Sequence, residues 1–288
     1  GNDGAFDVYS ADADVDAMVV RDGGIYLVGN AGGGGKGVFV SENGFIGVGK
    51  QWEKRDRSSL LTGFGSGRIE ANSTLTVAPV DKGVGNTDWE RRAKFANIPL
   101  TGAGDFVVSN GAPTKVFTVT VVNGKNTCSG AAKVVPPVVA EGETAAETAL
   151  IFTDGANWAG TVVANGYVGL TNLTDAAGAA DVTFGRVRLS GVLPLRVWSA
   201  EKNDTITLKD GFVVEDGDAG VVELVPQEGF ELKSGEEVTL GTFPASAFAK
   251  VAVKCGRRTL KVKEYPTETE GVVTVKAKAS SGFRIIIR

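Results

Sequence analysis

Residues 148–172 of the chain read TALIFTDGANWAGTVVANGYVGLTN. Short runs of β-forming residues alternate here with "DG" and "NG" turns, and apolar residues follow no helical period. Within the stretch, Asn157 is followed by Trp158, by Gly160 and then by a strand. A looser copy of this order begins at Asn126, with Cys128 in the place of the aromatic residue. Such repeats predict stacked coils of one supersecondary unit each, as in a β-solenoid.

Strict alternation of apolar and polar residues dominates the rest of the chain. In "KVFTVTVV" (115–122) the phenylalanine and alternate valines face one side and the threonines the other. In "VVTVKAKAS" (272–280) two valines and an alanine oppose Thr274, Lys276 and Lys278. A period of two with one apolar face predicts strands that pack on a core on one side and meet water on the other.

Two segments carry helix signals and are expected to project from the β scaffold. The first is "NTDWERRAKFANI" (86–98), with Asp88 as N-cap, and the second is "EGETAAETA" (141–149). From about residue 200 the glycine-containing repeats are no longer recognisable, and Lys and Glu become more frequent. We therefore expect a β-helix with loop insertions in residues 1–199, continued by C-terminal β coils or a cap in residues 200–288.

The composition excludes several kinds of chemistry. The 288 residues include no His, so neither a Ser-His-Asp triad, a Cys-His pair nor a His-based zinc site exists. The net charge of −4, with Lys and Arg spread along the chain, argues against nucleic-acid binding. The two cysteines, Cys128 and Cys255, are interpreted as buried small hydrophobic residues, and a disulfide between them stays open as the alternative.

A glycine-rich stretch at residues 29–40, "GNAGGGGKGVFV", imitates a nucleotide-binding loop. Gly32, Gly34 and Gly37 fit G-x-G-x-x-G, and Lys36 resembles a phosphate-binding lysine. Phosphate loops open a helix, whereas the residues that follow here are β-forming. We interpret the stretch as a turn between two strands and expect no bound nucleotide or other cofactor.

Acidic and aromatic residues supply the remaining candidates for binding. On a strand, Asp12, Asp14 and Asp16 would share one face, where calcium is the alternative to a solvated acidic edge. The loop that holds Asp216 and Asp218 is interpreted as a turn, with a calcium loop as the alternative. The stretch "KQWEKRDR" (50–57) is interpreted as a solvated loop. The four tryptophans are expected to pack, with sugar stacking as their alternative; they are Trp52, Trp89, Trp158 and Trp198. No catalytic or metal-binding residue is assigned.

The stretch at 148–172 resembles the autotransporter-associated β-strand repeat of bacterial surface proteins. Asn157, Trp158, Gly160, Asn165 and Gly166 stand at the matching places. "NGKNTCSGAAKVV" (123–135) matches more loosely, and "LTGAGDFVVSNG" (100–111) is similar to the segment that precedes such repeats. The resemblance covers about residues 60–172. It implies a right-handed, single-stranded parallel β-helix that is secreted or displayed on a bacterial surface, usually without catalysis.

These observations together predict a non-catalytic adhesion or display protein, monomeric, with glycans or surface proteins as partners. Polysaccharide cleavage by a lyase or glycoside hydrolase is the alternative, because β-helices host such enzymes and their chemistry can avoid His. A coat or structural protein without a small ligand is a third possibility. No apolar run reaches the length of a membrane helix. The chain ends at "GFRIIIR" without the strands of a membrane barrel, so we expect a passenger fragment or another export route.

Overall fold

The strands of this computed structural model stack into parallel sheets. It describes residues 6–7, 17–22, 24–27, 37–48, 64–79, 91–95, 98–110, 116–122, 124–142, 144–175, 178–214 and 220–279, and these residues form strands, turns and loops but no helix. The predicted fold class, an all-β single-stranded parallel β-helix with a C-terminal β cap, is confirmed.

The largest sheet receives one strand from each successive coil, and these strands pair in parallel. In order they are β1 (Phe6–Asp7), β3 (Gly24–Leu27), β5 (Gly44–Val48), β7 (Thr74–Pro79), β10 (Asp105–Ser109), β12 (Ala132–Val135), β14 (Asn157–Ala164), β16 (Asp181–Leu189), β18 (Thr205–Leu208) and β21 (Glu237–Pro244). The short strand β19 (Phe212–Val214) pairs with the second half of β16. Pairing with a strand about one coil away is what a solenoid requires.

Two further parallel sheets complete the coils. One contains β2 (Ala17–Arg21), β4 (Val38–Glu42), β6 (Ser66–Ile69) and β9 (Leu100–Gly102). The other contains β8 (Arg91–Phe95), β11 (Phe117–Val121), β13 (Thr148–Thr153) and β15 (Val168–Thr171). A further parallel set consists of β17 (Val192–Val197), β20 (Gly220–Pro226) and β22 (Val251–Cys255). Parallel pairing thus continues well beyond residue 199.

A hairpin closes the C-terminal end of the helix. Its strands are β23 (Arg258–Pro266) and β24 (Val272–Lys278). Strand β24 pairs antiparallel with β21, and β23 pairs antiparallel with β22. The last strand of two different sheets therefore finds a partner in the same hairpin, which we call the cap. An unpaired strand edge invites association with other chains, and the cap covers both of these edges.

One apolar core runs through the coils and into the cap. Aromatic rings pack along it at steep angles to one another, with Trp158 in contact with Phe106 at 5.8 Å and with Phe152 at 6.4 Å between centroids. Phe152 in turn meets Phe184 at 4.8 Å. Because Trp158 is fully buried, its packing interpretation is confirmed and it offers no platform for a sugar.

Four glycines form a column along the largest sheet, two of them just before a strand and two within one. They are Gly104, Gly130, Gly160 and Gly185, one from each of four successive coils. A Cβ built on them would lie 2.2, 2.0, 2.1 and 1.9 Å, respectively, from a carbonyl oxygen of the preceding coil. No side chain fits at that distance, so the close stacking of coils here requires glycine.

Beside this glycine column, two asparagines bind neighbouring coils to each other. The Leu100 amide donates to Oδ1 of Asn126 at 2.8 Å, and Nδ2 of Asn126 donates to the Asn157 carbonyl at 3.0 Å. The Asn157 side chain donates back to the Asn126 carbonyl. Trp158 Nε1 donates to the Gly130 carbonyl at 3.0 Å, and the Cys128 thiol to the Gly104 carbonyl at 3.4 Å. The repeated motif thus joins neighbouring coils through hydrogen bonds between side chains and backbone.

Both helices predicted from the sequence are wrong within the described residues. Arg91–Phe95 is strand β8, because its backbone pairs with β11 in register over five residues. In the second segment, Gly142 turns the chain at φ 86° and Thr148 already begins β13, which pairs on both sides. Helix propensity is worth a few tenths of a kcal/mol per residue, and ladder hydrogen bonds with neighbouring coils override it.

Replacing Asn126 with leucine tests the asparagine link. The side chain is 1% exposed, so the variant leaves the Leu100 amide and the Asn157 carbonyl without a partner. We expect the free energy of unfolding to fall by about 1–3 kcal/mol for each of these two polar groups that loses its hydrogen-bond partner. Chemical denaturation provides the measurement, with Thr161→Leu on an outward position of β14 as the control. Equal stability of the two variants would contradict the link.

Candidate functional site

Most binding candidates from the sequence lie outside the described residues. These are Asp12, Asp14, Asp16, Gly32, Gly34, Lys36, Trp52, Trp89, Asp216 and Asp218. Gly37 is described, and it leads directly into strand β4. The glycine-rich stretch is therefore followed by a strand, as expected, and lacks the helix N-terminus that a phosphate loop uses.

The two cysteines are free, so the disulfide alternative is wrong. Cys128 is buried in the core of the helix, where burial raises the pKa of its thiol to about 11. Cys255 ends β22 and is half-buried against the core, which only partly fits the interpretation as a buried residue. Neither thiol has the lowered pKa of a reactive cysteine, since burial raises both.

Trp198 is the one predicted aromatic candidate among the described residues that is not fully buried. Arg196 and Lys202 lie over its ring, 4.8 and 5.7 Å from the centroid. Arg196 also forms a bidentate pair with the fully buried Asp204, with Nε–Oδ2 at 2.8 Å and Nη2–Oδ1 at 2.9 Å. Two cations already occupy the surroundings of the indole, so this cluster is best explained as a structural corner of the coil.

The outward surface of the largest sheet is chemically mixed. One row of registered residues passes from Thr76 through Val107 to Lys133. In the later coils the corresponding row passes from Val163 through Arg188 to Val213. No single chemistry repeats along this row, so the described residues of the row offer no uniform binding face.

The cap carries several charges of one sign on one side of its hairpin. Four lysines stand on its outer surface: Lys261 and Lys263 on β23, and Lys276 and Lys278 on β24. The alternate residues Leu260, Val273, Val275 and Ala277 are buried in the core. We call the four lysines, with Glu237 of β21 and Tyr265 of β23, the lysine face. Strand alternation creates it, because every second residue must point away from the core.

Register brings the lysines together in like-charged pairs. Lys261 lies opposite Lys278, and Lys263 lies opposite Lys276, across the β23–β24 ladder. Directly opposed like charges destabilise a sheet by a few tenths of a kcal/mol or more each. The arrangement is not needed to protect an edge, since both neighbouring strand edges are already paired.

Glu237 partly offsets this repulsion. Lys263 Nζ lies 2.9 Å and Lys278 Nζ 3.4 Å from Glu237 Oε1, and the Tyr265 hydroxyl donates to Oε2 at 3.0 Å. These donors, that of Lys263 foremost, lower the pKa of the Glu237 carboxyl from its ordinary 4.5 to about 2. Lys261 and Lys276 form no ion pair with a described residue, although Lys276 lies 5.3 Å from the Tyr265 ring centroid. The face therefore keeps an excess of positive charge.

The sequence indicated only half of this site. The alternation in residues 272–280 correctly placed Lys276 and Lys278 on a wet face. The "KVK" of residues 261–263 alternates in the same way, and that signal was available. What no sequence pattern supplied was the hairpin register that sets one pair of lysines against the other.

The described residues contain neither a cluster of three potential metal ligands nor a helix with the length and apolarity to cross a membrane. No protein-family model matches the chain, and no curated protein matches it at significant similarity. The resemblance to autotransporter-associated repeats therefore stays a prediction.

The Glu237 carboxylate should titrate far below an ordinary glutamate. Because its folded pKa is lowered, the stabilisation that it contributes is complete above pH 4.5 and is lost as the pH falls through about 2. Carbon-detected NMR of side-chain carboxyls measures the midpoint, and the Glu237→Gln variant assigns the signal. Lys263→Met should move the midpoint upward. A wild-type midpoint near 4.5 would contradict the described contacts.

Proposed function

We propose that this protein is a non-catalytic β-helix protein, secreted or displayed on a bacterial surface, whose role is adhesion or structural display. The lysine face carries the proposal. It is a solvent-facing surface of the capping hairpin, and it presents several charges of one sign side by side. Surfaces of this kind bind extended partners by many weak contacts.

The architecture supports a role in contact rather than in turnover. Catalytic sites bring an acid and a base together within a concave, partly apolar pocket. On the lysine face the only carboxylate, Glu237, is held by Lys263, Lys278 and Tyr265 and has a pKa of about 2. A carboxyl so acidic is a poor general acid or base at neutral pH.

The display role draws on the resemblance of residues 60–172 to autotransporter-associated repeats. In such a role the helix acts as a spacer that holds its terminal surface away from the cell. The stacked coils suit this purpose, because the glycine column and the asparagine link join each coil directly to the next. Bacterial glycans and surface proteins are the proposed partners.

A paired binding and turnover assay tests the proposal. The protein is applied to a glycan array and is incubated in parallel with a panel of polysaccharides, with reducing ends and unsaturated products measured. We expect retention on a subset of glycans and no increase in reducing ends over a heat-denatured control. Release of product that a single substitution abolishes would favour the lyase or hydrolase alternative and overturn the proposal.

A further inference from the structure

The lysine face carries an electrostatic cost that the fold does not explain. Each of its two cross-strand lysine pairs places like charges opposite each other on neighbouring strands. Neighbouring strands lie about 4.8 Å apart, and alternate residues along a strand about 6.8 Å apart. The four lysine side chains are thus attached to a patch of sheet small enough for their ammonium groups to contact one segment of a polymer. A partner with repeated negative charges would relieve the repulsion on binding.

We propose that the lysine face is a binding site for an acidic polysaccharide; this inference rests on the proposed function of non-catalytic contact with glycans. Lys261 and Lys276 form no ion pair with a described residue, so their ammonium groups are available to carboxylates of the polymer. Lys263 and Lys278 already share Glu237 and extend the positive field around them.

Glu237 and Tyr265 favour a sugar polymer over other polyanions. The Glu237 carboxylate repels every anionic polymer alike, but its remaining acceptor positions can accept hydrogen bonds from hydroxyl groups, which a sugar polymer carries along its whole length. Tyr265 is 37% exposed and offers an apolar ring edge beside the ammonium groups. Binding of single-stranded nucleic acid rests on several aromatic side chains for successive bases, and the lysine face has one.

Membrane lipids are a poorer match to the same surface. Stable attachment to an anionic bilayer combines positive charge with apolar side chains that enter the headgroup region. On the lysine face most apolar residues of β23 and β24 point into the core, and the outward neighbours include threonines such as Thr239 and Thr274. A soluble polymer with charges and hydroxyl groups fits these polar neighbours better.

Calorimetry with polygalacturonate as the probe tests the inference on the full chain. We expect binding to polygalacturonate at low salt, weaker binding as sodium chloride is raised, and none to dextran, which is neutral. Lys261→Thr/Lys276→Thr removes one member of each like-charged pair and should weaken binding by at least about tenfold. The control Lys209→Thr/Lys250→Thr makes the same change in net charge outside the face and should bind like the parent.

Thermal melting at low salt shows whether a variant binds more weakly because it lacks binding residues or because it is less stably folded. Lys261→Thr should melt at the same temperature as the parent or higher, because it removes a repulsive neighbour of Lys278. Polygalacturonate should raise the melting temperature of the parent and leave that of the double variant of the face unchanged. Weaker binding together with undiminished stability is the expected signature of a binding site.

Four results would overturn the inference, and the last of them would overturn the proposed function as well. The first is equal binding of polygalacturonate by the parent and the double variant of the face. The second is tighter binding of single-stranded DNA or of phosphatidylglycerol vesicles than of polygalacturonate, which would assign the face to another partner. The third is retention of neutral glycans alone, in which case the adhesion role would stand. Cleavage of the polymer would overturn both the inference and the proposed function.

Discussion

Direct contact between the backbones of successive coils is the constraint on which this structure depends. At the glycine column, a Cβ atom would lie only about 2 Å from a carbonyl oxygen of the preceding coil, so the backbones can come this close only without a side chain. The approach lets a side chain of one coil reach the backbone of the next, as Asn126 and Trp158 do. Trp158 is fully buried, and the register of β14 against β16 shifts between Trp158 and Thr161, the stretch that contains Gly160.

The same constraint explains what the sequence could and could not predict. The order Asn157, Trp158, Gly160 was recognisable because each of its members has a separate contact with the preceding coil. Thr183, Phe184 and Gly185 take the same places one coil later but without an asparagine, so this copy was not identified. Phe184 is fully buried and Gly185 belongs to the column, so the glycine, and neither the asparagine nor the aromatic residue, is the member of the motif that all four coils share.

Errors and omissions arose where distant strands decide the local structure. Residues 91–95 have helix-forming side chains in sequence, yet pairing with β11 makes them a strand. For the candidate site, alternation fixed the side of the sheet on which each lysine lies, since that depends on the strand alone. The opposition of Lys261 and Lys278 depends on the length and shape of a turn between two strands, and composition does not encode it in a readable form.

The coils and the lysine face differ in how well their polar and charged groups are compensated by partners. In the coils, buried polar groups such as Asn126 and Asp204 have hydrogen-bonding partners in neighbouring segments. On the cap, like charges face each other and one carboxylate compensates them only in part. A surface that departs from the rule observed by the rest of the fold is where a binding function is expected.

The stability of Gly160→Ala tests the dependence on backbone contact most directly. The added methyl group would lie 2.1 Å from the Gly130 carbonyl, so the coils must separate, and we predict a loss of at least about 3 kcal/mol in the free energy of unfolding. Gly169→Ala is the matched comparison, because its Cβ meets only the end of the Ile151 side chain, and it should cost little. Equal stability of Gly160→Ala and Gly169→Ala would contradict the account.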